Sequence, residues 1–287
     1  MALLPRPLAT SICRAMAHVA YLVGWRLRRI GDFNLKMAFP EMGRRERRRL
    51  LRDSIGNLGR HLGEFSRFST VTPETLRETF DCEGLDKLDA ARALGRGVII
   101  ITGHLGAWEM ISFALSAFGY PFNFLVRRID NPAIERLIEN TRTRFGNRTI
   151  DKRGAARSML KTLRTGGTLG LLVDINVVRD EGIFVDFFGV PASTTFIAAK
   201  LALRTGAAVV PIFAPWEDRR QRFVMHIGAP LTIQRSGDEE EDIRQLTSRF
   251  TKTVEDYVRR YPDQWLWIHK RWRTRPLGEQ NFYANIT

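Results

Sequence analysis

The chain of 287 residues carries 45 lysines and arginines against 31 aspartates and glutamates, which gives a formal net charge of +14. This length allows one sizeable core and favours one large α/β domain with an N-terminal extension over two equal domains. The charge favours a polyanionic partner, namely nucleic acid, an anionic membrane face or a phosphorylated substrate.

The first thirty residues are predicted to associate with a membrane. The segment 8–25 is apolar but is interrupted by Arg14 and His18. Its apolar residues fall on one helical stripe with Arg14 opposite, which favours an amphipathic helix lying in the membrane interface. A tilted spanning helix and an amphipathic helix packed on the protein itself are the alternatives. Clustered arginines between Arg26 and Arg52 follow, an arrangement that holds proteins to anionic headgroups.

Helical and strand patterns alternate after the arginines. Helices are predicted at 50–68, from Pro73, at 107–118, 131–145, 153–164 and 195–204, and over a long final segment around 243–257. Strands are predicted at 98–101, 122–126, 168–173, 183–187 and 207–213, with 222–227 as an edge strand. The alternation predicts a single α/β domain with a mostly parallel central sheet and helices on both faces. The predicted division is a membrane-associating helix at 1–30, a catalytic domain at 31–277 and a tail at 278–287.

His104 lies where a buried strand ends and a helix begins, the usual place for ligands in an open α/β sheet. Glu109 follows five positions later, so the two side chains meet only if His104 lies on the turn before the helix. A carboxylate there would hold the imidazole in one tautomer and leave its other nitrogen as a base. The alternative is a satisfied loop histidine beside a first-turn glutamate. Arg127 and Asp174 also end predicted strands, so the fold would gather them on the same rim.

Other chemistries fit the sequence poorly. It has no G-x-S-x-G elbow for a serine hydrolase and no Walker loop. Five scattered histidines and two unclustered cysteines, Cys13 and Cys82, give no zinc spacing, so no metal is expected. Two cysteines are also too few for a disulfide framework, which indicates a reducing compartment.

Several blocks of the sequence resemble one enzyme family. The segment Gly103-His-Leu-Gly-Ala-Trp-Glu109 resembles the H-x4-E signature of glycerolipid-type acyltransferases. Within these, the chain is most similar to the late lipid A acyltransferases, the lauroyl and myristoyl transferases of lipopolysaccharide assembly. The blocks at 34–41, 126–146, 174–211 and 264–276 match that family in order and spacing. The resemblance covers roughly residues 30 to 277, although Ala107 stands where relatives often have asparagine.

The resemblance implies a function. His104, oriented by Glu109, would act as general base on a hydroxyl of a lipid A-type glycolipid precursor. The donor would be a thioester of acyl carrier protein or CoA, with no further cofactor, at the cytoplasmic face of the bacterial inner membrane. The oxyanion would be stabilised by an arginine or by backbone N–H groups near the helix start. The expected substrate-binding residues are Arg127, Arg144, Asp174, Gly106 and Trp108.

Three alternatives stay open at this point. The acceptor could be another lipid, either a lysophospholipid or a phosphatidylinositol mannoside. The same His-Glu pair could serve a thioester hydrolase, which needs no lipid acceptor. A non-enzymatic basic protein could bind anions, but the sequence has neither a recognition fold nor interleaved stacking aromatics for nucleic acid.

Overall fold

The computed structural model describes residues 4–126, 130–152 and 154–286. Its helices are α1 (Arg6–Val23), α2 (Trp25–Ala38), α3 (Arg44–Ser66), α4 (Pro73–Thr79), α5 (Leu85–Ala93), α6 (Ile111–Ala117), α7 (Pro132–Thr143), α8 (Ala155–Arg164), α9 (Ile197–Thr205) and α10 (Glu239–Arg260). Its strands are β1 (Phe80–Glu83), β2 (Val98–Thr102), β3 (Asn123–Val126), β4 (Arg148–Asp151), β5 (Thr168–Leu172), β6 (Gly182–Phe187), β7 (Val190–Thr195), β8 (Ala208–Phe213), β9 (Trp216–Glu217) and β10 (Arg222–Ile227).

The central sheet is built around β2, all five residues of which are buried. The strand order is β1-β10-β8-β2-β5-β3-β4, and β9 pairs with β10. Strands β8, β2, β5, β3 and β4 run parallel to one another, whereas β10 is antiparallel to β8. Alternate residues of β2 join two separate apolar cores, with Ile99 and Ile101 on one face and Val98 and Ile100 on the other. The predicted α/β class with a mostly parallel sheet is confirmed.

One strand prediction is wrong in its position. The segment 222–227 was expected at an edge, but β10 lies inside the sheet, between β8 and the unpredicted strand β1. The strand predicted at 183–187 is confirmed as β6, which lies outside the central sheet and makes a separate antiparallel hairpin with β7. The alternation in β10 therefore marks two different faces rather than a solvent-facing edge.

The first helix packs on the third through a row of glycines. A Cβ atom added at Gly59 would lie 2.7 Å from the Cα of Arg14 and 2.9 Å from the Cβ of Ala17, and Gly63 approaches Thr10 as closely. This agrees with the alternative in which α1 packs on the protein itself. Within the described residues, no helix has the length and apolar character needed to cross a membrane. The remaining face of α1 is exposed and apolar.

The C-terminal block closes the core. Trp265, Trp267 and Trp272 are at most 2% exposed, so they contribute to packing. The side-chain amide of Asn34 donates to the carbonyl oxygen atoms of Trp267 and His269 at 2.6 and 2.7 Å. The hydroxyl of Tyr283 donates to Asn34 Oδ1, which brings the predicted tail into contact with the core.

Candidate active site

The imidazole of His104 is held by a buried carboxylate. Its backbone N–H donates to Asp174 Oδ2 at 2.7 Å, and its Nδ1 lies 2.8 Å from Asp174 Oδ1. Asp174 follows β5 as His104 follows β2, and these strands are parallel neighbours, so the two residues meet at the same sheet edge. Because a carboxylate only accepts, Nδ1 carries the proton and Nε2 is left as the acceptor.

Asp174 is fully enclosed and remains ionised. The indole N–H of Trp265 adds a third hydrogen bond, to Oδ2 at 2.8 Å. Burial by itself raises the pKa of Asp174, but the charge and hydrogen bonds of His104 and the bond from Trp265 outweigh burial and lower it to about 2. That Asp174 binds substrate stays a prediction. In the structure its oxygen atoms accept hydrogen bonds from His104 and Trp265.

The pKa of His104 is set by opposing effects. Burial disfavours the imidazolium, whereas the charge and hydrogen bond of Asp174 favour it, and the more distant charge of Glu109 adds to them. The net result is a pKa raised above its usual value of 6.5. A raised pKa makes Nε2 a stronger base, as proton abstraction from a hydroxyl requires.

Glu109 is not the hydrogen-bonding partner that the sequence predicted. It lies in a short 3₁₀ turn, Trp108–Met110, and its side chain is exposed. Although both residues are described, no hydrogen bond joins Glu109 to His104, and Glu109 acts on the imidazole through its charge alone. Because α6 begins only at Ile111, Glu109 lies beside the adjoining cavity and does not turn back to the histidine.

Backbone hydrogen bonds to two other segments fix the turn after His104. The N–H groups of Gly106 and Ala107 donate to the carbonyl oxygen atoms of Gln264 and Ala214, at 3.0 and 2.8 Å. Gly106 has φ of +62°, and a Cβ atom there would lie 2.1 Å from the Ala214 oxygen. Gly106, predicted to contact substrate, is therefore needed for the close approach of two backbone segments.

A large cavity of about 830 Å³ adjoins this turn. Its walls are mostly apolar and come from β2, β3, β5 and α8, including Ile100, Phe124, Met159 and Leu171. Trp108 lines it, as expected of a substrate-binding residue, and the ring of Trp108 lies 5.3 Å from that of His104. Charged residues also border the cavity: Glu109, Arg142, Lys152, Asp180 and Glu181. The volume is typical of a site that encloses a mainly apolar ligand.

The profile of the bacterial lipid A biosynthesis acyltransferases matches residues 1–274 of the chain. The chain belongs to this family. It is 24% identical to the lipid A biosynthesis myristoyltransferase of Escherichia coli (strain K12), over 97% of this chain and 85% of that one. It is 27% identical to the palmitoleoyltransferase of the same organism, over 87% and 80% of the two chains. It is also 26% identical to a phosphatidylinositol mannoside acyltransferase of Mycobacterium tuberculosis (strain ATCC 25618 / H37Rv), over 94% and 92%.

Family membership makes the protein an acyltransferase and implies, in general terms, an acyl donor and a lipid acceptor. The predicted resemblance is thereby confirmed.

The two arginines predicted to bind substrate in this acyltransferase differ in outcome. Arg127 lies outside the described residues. The guanidinium of Arg144 donates to the carbonyl oxygen atoms of Phe68 and Ser69, at 3.4 and 2.7 Å, and thereby ties down the segment after α3. Arg142, two positions earlier, borders the cavity and was not singled out by the sequence.

Sequence reasoning also missed two histidines beside His104. His61, on α3, is buried with its ring 4.4 Å from Trp108, and burial lowers its pKa to about 4. The ring of His269 is stacked on that of His104 with centroids 6.4 Å apart. The only sequence signal for His269 is its place in the segment 264–276, one of the blocks that resemble the acyltransferase family.

Proposed function

We propose that this acyltransferase moves a fatty acyl chain from a thioester to a hydroxyl of an anionic glycolipid, with His104 as general base and Asp174 as its positioning carboxylate. The observation that carries the proposal is the pairing of His104 with a buried carboxylate at the edge of a mainly apolar cavity. The cavity suits the acyl chain, and in this proposal the thioester carbonyl lies beside the imidazole of His104, which is next to the cavity-lining Trp108.

The proposed reaction needs no covalent acyl-enzyme. His104 Nε2 accepts the proton of the acceptor hydroxyl while the hydroxyl oxygen forms a bond with the thioester carbonyl carbon. The tetrahedral intermediate collapses, the C–S bond breaks, and the imidazolium returns its proton to the leaving thiolate. Asp174 stays ionised throughout and stabilises the transient imidazolium.

The donor we propose is a thioester of acyl carrier protein or CoA, and the acceptor a lipid A-type precursor. A phosphatidylinositol mannoside is the second candidate acceptor, because a relative of that name is similar over 94% of this chain. Glu109, which lines the cavity, remains a candidate catalytic residue, because its negative charge favours the protonated form of His104. We further propose that the enzyme works at the cytoplasmic face of an anionic membrane, with the exposed apolar face of α1 in contact with lipid.

The test uses purified protein, an acyl thioester and a lipid acceptor, with the acylated product identified by mass spectrometry. His104→Ala is expected to lower the rate of transfer by about 100-fold or more, because the base is lost. His226→Ala is the matched control, since His226 is a half-buried, ion-paired histidine outside the cavity. Near-normal transfer by folded His104→Ala would overturn the mechanism. Release of free fatty acid with no acylated lipid would indicate a hydrolase instead.

A further inference from the structure

The proposed reaction creates a negative charge that the structure must accommodate. When the acceptor oxygen bonds to the thioester carbon, the carbonyl oxygen becomes an oxyanion, and enzymes stabilise it with N–H or O–H donors. The backbone donors of the turn that begins at His104 are already used: the N–H groups of His104, Leu105, Gly106 and Ala107 donate to Asp174, Gly103, Gln264 and Ala214, respectively. Arg144 is likewise bound to backbone carbonyl oxygen atoms. The donor must therefore lie outside residues 104–107.

His269 has the position and the protonation state for this role. Its ring is nearly parallel to that of His104, at 18°, with centroids 6.4 Å apart. The backbone N–H of Asn176 donates to His269 Nε2 at 3.2 Å, so the single proton of the neutral ring is on Nδ1. Burial lowers the pKa of His269 to about 4, and the ring therefore stays neutral near pH 7 and does not compete with His104 as a base.

Hydrogen bonds hold the backbone of the segment that carries this ring. The amide of Asn34 holds the carbonyl oxygen of His269, as described above. The side chain of Asn176 donates to Thr274 Oγ1 and accepts from the backbone N–H of Thr274, which joins the segment after Asp174 to the segment that carries His269. The fully buried Arg271 donates to the carbonyl oxygen of Ile175 and strengthens the same connection. A donor held in this way needs no reorganisation during the reaction.

We propose that His269, through Nδ1–H, donates a hydrogen bond to the oxyanion of the tetrahedral intermediate. The inference rests on the proposed function, because it assigns a second catalytic residue to that reaction. The centroids of the two rings are 6.4 Å apart, so a thioester group bound beside His104 also lies close to His269. No proton leaves His269: the hydrogen bond strengthens as the carbonyl oxygen gains charge and weakens again when the C–S bond breaks.

Two substitutions separate the donor role from a structural one. His269→Asn puts an amide nitrogen where Nδ1 lies but loses the acceptor for Asn176. His269→Gln puts an amide oxygen near the position of Nε2, which keeps that acceptor, but loses the donor at Nδ1. We expect His269→Gln to lower kcat by about 100-fold or more with little change in KM for the thioester, and His269→Asn to retain most of the activity.

The opposite order of activities would overturn the proposal, because it would assign His269 only to holding Asn176. Equal rates in both variants, whether normal or low, would also overturn it, since only one of them keeps the donor. Circular dichroism checks that both variants fold.

A binding measurement makes the result independent of turnover. Dodecylphosphonate offers an alkyl chain and a tetrahedral anion, and the imidazole signals are followed by ¹⁵N NMR on the full-length protein. We expect the Nδ1–H signal of His269 to shift when the phosphonate binds and to keep its neutral form. If the His269 signal stays in place when the protein is saturated with the phosphonate, while other imidazole signals shift, the inference is overturned. Absence of acyl transfer by the wild-type protein would instead overturn the proposed function, and the NMR result would still decide the role of His269.

Discussion

The contact between His104 and Asp174 joins residues that are 70 positions apart in sequence. Both follow buried parallel strands, so the sequence correctly predicted that they would share one rim of the sheet. It did not predict their bond, because Glu109 offers a carboxylate only five positions away and the path of the turn between them is set by distant partners. Those partners, Ala214 and Gln264, belong to segments whose approach no local pattern reveals.

Asp174→Asn is expected to change the pH dependence of the enzyme. The base must be neutral to accept a proton, so wild-type kcat/KM should rise with pH through the raised pKa of His104. The asparagine removes the charge that raises this pKa and leaves burial, which lowers it, so the rising limb should move to lower pH. The rate at the plateau should fall by about 100-fold or more, because the imidazole loses its oriented partner.

The matched control is Asp186→Asn, at an exposed carboxylate on β6. An unchanged limb in Asp174→Asn would show that this carboxylate does not set the pKa of the base. The same pKa shift also makes stability depend on pH. Because the folded-state pKa of His104 is raised, its contribution to the free energy of unfolding is complete below about pH 6.5 and is lost as pH rises through the raised value.

At the scale of elements, the sequence predicted best where one buried run forms one element. The β-branched run in β2 and the regular apolar spacing of α10 gave the right structures, because burial is strong enough there to decide the conformation. β1 and β4 are four residues each and carry charged side chains, so their pairing depends on neighbouring strands rather than on their own pattern. The sequence predicts β10 at an edge because its partner β1 has too weak a pattern to be recognised as a strand.

The helix pair α1 and α3 allows a test of close packing. Gly59→Ala is expected to destabilise the protein by about 1–3 kcal/mol, because the added methyl group meets the rigid Cα of Arg14. Elsewhere in a helix the same change stabilises by up to about 1 kcal/mol. Gly56→Ala is the control, since its Cβ would meet only the movable ring of His18, at 3.2 Å. Urea unfolding measures both, and equal midpoints would contradict the glycine-dependent packing.

At the scale of the whole molecule, an apolar surface and an excess of positive charge occur together at the N-terminal end. Leu22 and Val23 are 69% and 73% exposed, and Trp25 follows them at the start of α2. The guanidinium groups of Arg26 and Arg29 lie over the ring of Trp25, at 5.2 and 5.7 Å from its centroid. Since α1 is held on α3 by its other face, these side chains form one fixed surface. Apolar side chains flanked by arginines suit the boundary of an anionic bilayer.

This surface is expected to bind vesicles that contain phosphatidylglycerol more tightly than vesicles of phosphatidylcholine alone. The double variant Leu22→Asp/Val23→Asp should lose most of the binding, because charged groups would enter the acyl boundary. Replacing Arg26 and Arg29 by glutamine should weaken binding by about 1 kcal/mol for each arginine, which is about fivefold for each at low salt. Leu277→Asp is the control, since Leu277 is an 83% exposed apolar residue outside the surface. Cosedimentation measures each affinity, and an unchanged affinity in the double aspartate variant would rule out α1 as the membrane contact.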